Sequence, residues 1–314
     1  MKINGRNFTI GADPEFFVKK FGKLMSAHGL VPGSKEVPFA VPKGAVQVDG
    51  MALEFNIDPA DDYLAFEDNM SSVMDSIIKM VPGYEIYVEP VADFGLAYIQ
   101  SQPDEAKALG CSPDFNAYTK MANPAPNADT PFRTASGHVH IGWTNGPVDI
   151  ENESHLEACR ALTKALDLYL GVPSLVWDRD DRRRSLYGAA GAFRPKPYGM
   201  EYRVLSNKWI TAPHLRRLVY QNTIAAIQAT FSDEGVGEKS ILDLTARQII
   251  NKEANWENNV YAAIEYFGVK SPKAHKEEMV KDEEARREPL SKISPEWHGA
   301  PFENIEAALM HGEF

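Results

Sequence analysis

Residues 182–205 read R-R-R-S-L-Y-G-A-A-G-A-F-R-P-K-P-Y-G-M-E-Y-R-V-L. Gly, Pro and Arg crowd the first part of this stretch, which predicts an irregular loop. The loop runs into a strand-like segment, Met200 to Leu205, where Glu201 and Arg203 alternate with Tyr202 and Val204. Side chains two apart on a strand share a face. A carboxylate and a guanidinium therefore point one way and apolar groups the other. This predicts a face lining a cavity for an anionic, metal-bound ligand, with the upstream arginines reaching into the same cavity.

Three other segments repeat the pattern. G-A-D-P-E-F carries Asp13 and Glu15 two apart. L-E-F-N-I sets Glu54 and Asn56 opposite Leu53, Phe55 and Ile57. G-H-V-H-I-G sets His138 and His140 opposite Val139 and Ile141. Taken singly, each has an ordinary explanation: turn chemistry at Asp13–Pro14, solvent-facing pairs at 54–56 and 138–140, a cross-strand ion pair at 201–203. Taken together they gather carboxylates that repel one another and are costly to desolvate unless a cation compensates. Oxygen ligands with one or two imidazoles suit magnesium or manganese. Arginines beside such a site imply an anionic ligand, most simply a phosphate chain.

The rest of the chain frames these segments. Its 314 residues suffice for a full core, and 44% hydrophobic with 25% charged residues is an ordinary globular profile. A net charge of −11 argues against nucleic acid or an anionic membrane as partner. Cys111 and Cys159 lack metal-type spacing, and the N-terminus M-K-I-N-G-R-N-F lacks the apolar core of a signal peptide, so a reduced cytoplasmic protein is expected. No apolar run approaches bilayer-spanning length.

A strand is expected over 8–19 with a break at 12–14, and a hairpin over 45–57 turning at Asp49–Gly50. Strands are expected at 84–90, 92–99 and 137–143. Helices are expected near 61–80, with acids in the first turn, and near 151–170, 212–231, 241–251 and 256–267. Residues 100–135 read as a long ordered loop over the site. The predicted class is α+β, a mostly antiparallel twisted sheet lining the active site with helices packed outside it. Residues 1–268 would form one catalytic domain, and 269–314 a charged extension, loosely packed or mobile.

In their order, G-A-D-P-E-F-F at 11–17, D-G-M-A-L-E-F-N at 49–56, S-G-H-V-H-I-G at 136–142 and the arginine-rich run ending in E-Y-R at 182–203 resemble the glutamine-synthetase-like superfamily of carboxylate–amine ligases. They look closest to its phage-encoded amidoligases. The resemblance implies a glutamine synthetase-like catalytic domain using ATP and Mg2+ or Mn2+. It implies that Glu15, His138 and Glu201 hold the metal nearest the nucleotide, and that Asp13 and Glu54, with Asp49 a lesser candidate, hold the metal beside the acyl substrate. His140 would contact substrate or phosphate. Arg203 would bind ATP phosphates, and Arg184 and Arg194 would clamp the transferring phosphoryl group. Arg184, Arg203, Glu201 and Asn56 are the residues expected against the nucleotide.

Expected partners are small-molecule or peptide carboxylate and amine substrates, in the host cytoplasm if the chain is phage-encoded. Glutamine synthetases carry an additional N-terminal sheet domain that the residues before Phe8 are too few to form, so a shared-site ring is not expected and the oligomeric state is left open. Three rivals stand beside this reading. A guanidino-type phosphotransferase on the same fold would need no amine. A metal-dependent hydrolase using H-x-H as ligands would need no ATP. A non-catalytic interaction protein would need neither.

Overall fold

Alternation of period two organises the centre of the molecule. The computed structural model describes residues 1–107, 114–124, 129–231, 246–252, 260, 263–265, 269–271 and 273–277. Its main sheet runs in the order Phe115–Asn116, Ala192–Lys196, Gly199–Tyr202, Gly137–Gly142, Thr9–Lys20, Ala52–Ile57, Gly44–Asp49, Phe39–Val41. Two short strands, Lys23–Met25 and Glu85–Tyr87, also pair with Thr9–Lys20. Every pairing among the described strands is antiparallel, so the α+β expectation stands and the sheet is more uniform than predicted.

One face of this sheet is the core. Ile10, Ala12, Leu53, Phe55, Val139, Ile141, Met200 and Tyr202 point to it and are buried. Each large apolar side chain buried there stabilises the fold by about 1.5–3 kcal/mol. Helices cover this face. Tyr63–Met80 supplies Phe66, Met70, Val73, Met74 and Ile77. The acids expected in its first turn lie just before it, where Asp62 accepts a 2.8 Å hydrogen bond from the Ala65 amide and caps the helix. Glu153–Leu166, capped by Asn152, and Pro213–Phe231 complete the layer. The helix expected over 151–170 changes pitch at its end, where Asp167–Gly171 forms a π turn.

Several local expectations are corrected. Thr9–Lys20 does not break at 12–14: Pro14 falls at the last register position opposite Gly137, where the strand passes from one neighbour to the next. Residues 92–99 are not one strand, because Gly95 at φ 78° ends Val91–Asp93 and opens the helix Leu96–Gln100. Residues 182–198 are not a loop. Asp181–Leu186 is a helix, and Ala192–Lys196 is a strand that forms a hairpin with Gly199–Tyr202. The long loop holds two short strands and one short helix besides, Phe115–Asn116, Phe132–Thr134 and Asp104–Lys107. The helix expected near 241–251 is seen as helical residues 246–250; most of that near 256–267 and nearly all of the charged extension lie outside the described residues.

Gly137 marks where the sheet meets the helical layer. A Cβ there would come within 2.4 Å of Trp209 Nε1, which instead donates a 3.0 Å hydrogen bond to the Gly137 carbonyl.

Candidate active site

Register places the four polar pairs on the face opposite the core. Directly opposed residues of antiparallel strands share a face. Asp13 stands opposite His138, Glu15 opposite Glu54, and Glu201 opposite both His140 and Arg194. Glu54 also faces Gln47. Asp13, Glu15, Glu54, Asn56, His138, His140, Arg194 and Arg203 all line one cavity of about 690 Å³. Glu201 is buried beneath it, 1% exposed. Beyond Glu15 the same face turns apolar, as Phe17 packs with Ala52, Ala92 and Ala135 and closes that end.

Two groups of acids form within the cavity. In one, ligand atoms of Asp13, His140 and Glu201 lie within 4.8 Å of one another; in the other, those of Glu15, Asp49 and Glu54 do. This grouping differs from the one the resemblance implies. Glu15 belongs with Glu54 and Asp49, while Asp13 belongs with Glu201. His138 lies beside the first group, its Nδ1 3.2 Å from Asp13 Oδ1 and 3.4 Å from Glu201 Oε1. His140 joins that group, with Nε2 3.0 Å from Asp13 Oδ2.

The electrostatics follow from this crowding. Burial, then the Asp49 and Asp13 carboxylates, push Glu15 up to about 8, against a 2.7 Å hydrogen bond from the Ser136 amide. Burial and the same neighbours raise Glu54 well above the usual range, although Gln47 donates to it at 2.7 Å. Asp13 goes the other way: burial would raise it, but His140 and His138 together outweigh that and hold it well below the carboxylate range. Glu201 is likewise lowered, with His138, His140 and Lys196 overcoming burial and Asp13. Burial and Arg203 depress His138 to about 4. For His140, burial is outweighed by Asp13 and Glu201, and its pKa rises.

These residues fit a hard divalent cation in each group. The first offers two carboxylates and an imidazole, the second three carboxylates. Asp13 Oδ1 and His138 Nδ1 sit 3.2 Å apart without hydrogen-bond geometry, and with His140 Nε2 they are buried polar atoms lacking a hydrogen bond. Such atoms are costly unless something else engages them.

The basic residues separate into two kinds. Arg203 contacts Glu201 through Nη1, approaches Asp114 Oδ2 at 3.4 Å through Nε, and lies over the Tyr187 ring at 4.8 Å. Arg194 Nη1 is 3.4 Å and Lys196 Nζ 2.9 Å from Glu201 Oε2. These three cations surround one carboxylate at the cavity floor. Arg184 does not join them. It is buried against Asp178, donating at 3.0 Å to both its carbonyl and its carboxylate, and it does not line the cavity. On the short helix Asp181–Leu186, Arg183 is the arginine directed towards the site. It donates to Ser136 Oγ at 2.9 Å and to the Val204 carbonyl at 2.7 Å, and burial lowers its pKa to about 10. Arg183 thus braces Ser136, whose amide holds Glu15, from behind the cavity. Arg182 is half-exposed and pairs with Asp180.

Lys35, Gln47, Lys196 and Tyr198 line the cavity although the sequence reading did not single them out. Lys196 and Gln47 carried a signal: each is two residues from a recognised position, or opposite one, on the same strand face.

Residues 130–235 match the family described as phage phiEco32-like COOH.NH2 ligase-type 2. That segment contains both histidines, Arg194, Lys196, Glu201 and Arg203; Asp13, Glu15 and Glu54 lie outside it. Among solved structures, the chain is similar to a bifunctional glutathione synthetase from Pasteurella multocida, at 11% identity and a TM-score of 0.36, over 90% of this chain and 50% of that one. The chain thus spans half the length of that enzyme. No curated protein matches the sequence.

Proposed function

We propose that this protein is an ATP-dependent carboxylate–amine ligase working through an acyl phosphate, on a glutamine synthetase-like catalytic domain spanning residues 1–268. The observation that carries the reading is the convergence of two carboxylate groups and three basic side chains on one face of one sheet. The ligase family matched over 130–235 supports it. Among the described residues no helix is long and apolar enough to cross a membrane. The reading calls for the compartment that holds ATP, the cytoplasm.

The chemistry asked of these residues is as follows. Asp13, Glu201 and His140, with His138 alongside, would hold one Mg2+ or Mn2+, and Glu15, Glu54 and Asp49 a second. Bound there, such ions neutralise phosphate oxygens and screen the acids from one another. Arg203, Arg194 and Lys196 bind and orient the phosphate chain. A substrate carboxylate oxygen attacks the γ-phosphorus, the bond to ADP breaks, and the three cations stabilise the transferring group. The amine nitrogen then attacks the acyl carbon, inorganic phosphate leaves, and the nitrogen gives up a proton. Asn56, which lines the cavity wall, would contact the ligand. A small-molecule or peptide acid and amine are the expected substrates. Arg184 is not part of this proposal.

The test is incubation with ATP, Mg2+ and mixtures of amino acids, peptides and polyamines, followed by ADP assay and mass spectrometry. ADP release coupled to a new amide mass is expected. Amide formation without nucleotide consumption overturns the reading, and a phosphorylated guanidine as product would favour the phosphotransferase.

A further inference from the structure

Tyr198 sits in the turn between the Ala192–Lys196 and Gly199–Tyr202 strands, at the cavity wall. Its backbone is fixed: its carbonyl accepts from the amides of Trp143 at 2.9 Å and Thr144 at 3.3 Å. The next residue, Gly199, has φ 154° and no room for a side chain, since a Cβ would lie 2.0 Å from the Ile141 carbonyl oxygen. The turn therefore holds the tyrosine in one place. From there its hydroxyl makes a hydrogen bond with His140 Nδ1. The other ring nitrogen, Nε2, faces Asp13 Oδ2 at 3.0 Å.

A neutral imidazole offers one nitrogen as acceptor, and the partner of the other nitrogen decides which. A phenol hydroxyl can both donate and accept. It can accept from Nδ1–H, leaving Nε2 free to bind a cation, or donate to Nδ1 when Nε2 carries a proton towards Asp13.

We propose that Tyr198 is a positioning residue that fixes the ring orientation of His140, holding Nδ1 so that Nε2 can join Asp13 and Glu201 as a ligand of a divalent cation. This rests on the cation-binding part of the reading above, and not on its amide-forming part. Groups that hold the second nitrogen of a metal-binding histidine are typically worth about 10–100-fold in metal affinity.

The test uses the full chain, with Mn2+ affinity read by electron paramagnetic resonance and histidine tautomers by long-range 1H–15N spectra in Mg2+. The wild type is expected to bind Mn2+ and to show His140 protonated at Nδ1. Tyr198→Phe should weaken Mn2+ binding about tenfold or more and give a mixed tautomer pattern. A double-mutant cycle separates this role from a merely structural one. If Tyr198 acts through His140, adding Tyr198→Phe to His140→Ala costs no further affinity. Equal losses in both backgrounds overturn the inference, as does a Tyr198→Phe protein with wild-type affinity and spectra; both leave the ligase reading standing. A wild type that binds no Mn2+ overturns the inference together with the cation reading. Cation binding in an enzyme that forms no amide leaves the inference intact and overturns the ligase reading alone.

Discussion

Replacing Glu201 by Gln removes one negative charge from the meeting point of Arg203, Arg194, Lys196 and His138. Deleting one partner of a buried ion pair can cost about 3–5 kcal/mol when the remaining charge is stranded. Here the stranding is incomplete. Arg194 and Lys196 are 17% and 26% exposed and can turn into the cavity, while Arg203 keeps Asp114. The amide can still accept one hydrogen bond. The cost should therefore approach that of one charge-assisted hydrogen bond, about 2 kcal/mol. At roughly 2–4 °C per kcal/mol, Tm should fall by about 4–8 °C with the fold retained. Thermal unfolding with and without Mg2+ and ATP is the assay. Glu201→Gln should lose the part of the Mg2+-dependent rise in Tm owed to the Asp13–His140–Glu201 group, keep the part owed to Glu15, Asp49 and Glu54, and lose all ligase turnover, while ATP alone still stabilises it through the three cations. A variant that keeps the full Mg2+ shift and turnover would refute the assignment of Glu201 to a cation. A variant that fails to fold would make Glu201 a structural counter-ion.

The arginines should divide cleanly. Arg184→Ala should leave nucleotide affinity unchanged but lower stability by about 3–5 kcal/mol, read from denaturant midpoints, because it abandons the buried Asp178 carboxylate; Arg203→Ala should weaken ATP binding at least tenfold by calorimetry. Asp114→Asn removes an anion that competes for Arg203 and should tighten binding of ATP or inorganic triphosphate several-fold; weaker binding would show that Asp114 orients Arg203 rather than occupying it. The metal-free protein should lose stability as pH rises from about 6.5 to 8; below that window His138, depressed to about 4 in the folded state, acts in the opposite direction and offsets the loss. Glu15, ordinarily near 4.5, titrates near 8 in the folded state, so over that window the native chain holds a proton that the unfolded chain has released. His140, also raised, acts in the same direction as pH climbs past 6.5. Saturating Mg2+ should abolish this slope, as chemical denaturation at several pH values would reveal.

The polar pairs were legible because strands expose period two directly, and register needs only the apolar partners to choose a side. Asp13–Glu15, Glu54–Asn56, His138–His140 and Glu201–Arg203 fall on one face for that reason. What sequence spacing does not encode is which neighbour lies closest across strands, so the division into Asp13–His140–Glu201 and Glu15–Asp49–Glu54 was read differently. Arg184 was misjudged because its surroundings read as loop. On the short helix at 181–186, adjacent residues diverge by about 100°, which turns Arg183 towards Ser136 and Arg184 towards Asp178. Lys196 and Tyr198 are hidden in the sequence because Pro195 and Pro197 flank them, and proline argues against a strand interior; the strand holding Lys196 lies near the sheet margin, with only the two-residue Phe115–Asn116 beyond it among the described residues.

The floor of the cavity and the centre of the core are two sides of the same strands. Between His138 and His140 lies Val139, and between Glu201 and Arg203 lies Tyr202, both fully buried. A change that shifts the packing beneath is therefore transmitted upward by a single peptide unit, and the polar side chains above have almost no freedom to be re-aimed one at a time. The rim is constrained differently. Lys35, Pro38 and Tyr198 line the cavity from connections between strands, where backbone can lengthen or shorten without disturbing the register below. New substrate preferences in such a molecule would be sought by diversifying those connections, with the sheet left untouched as a fixed chassis.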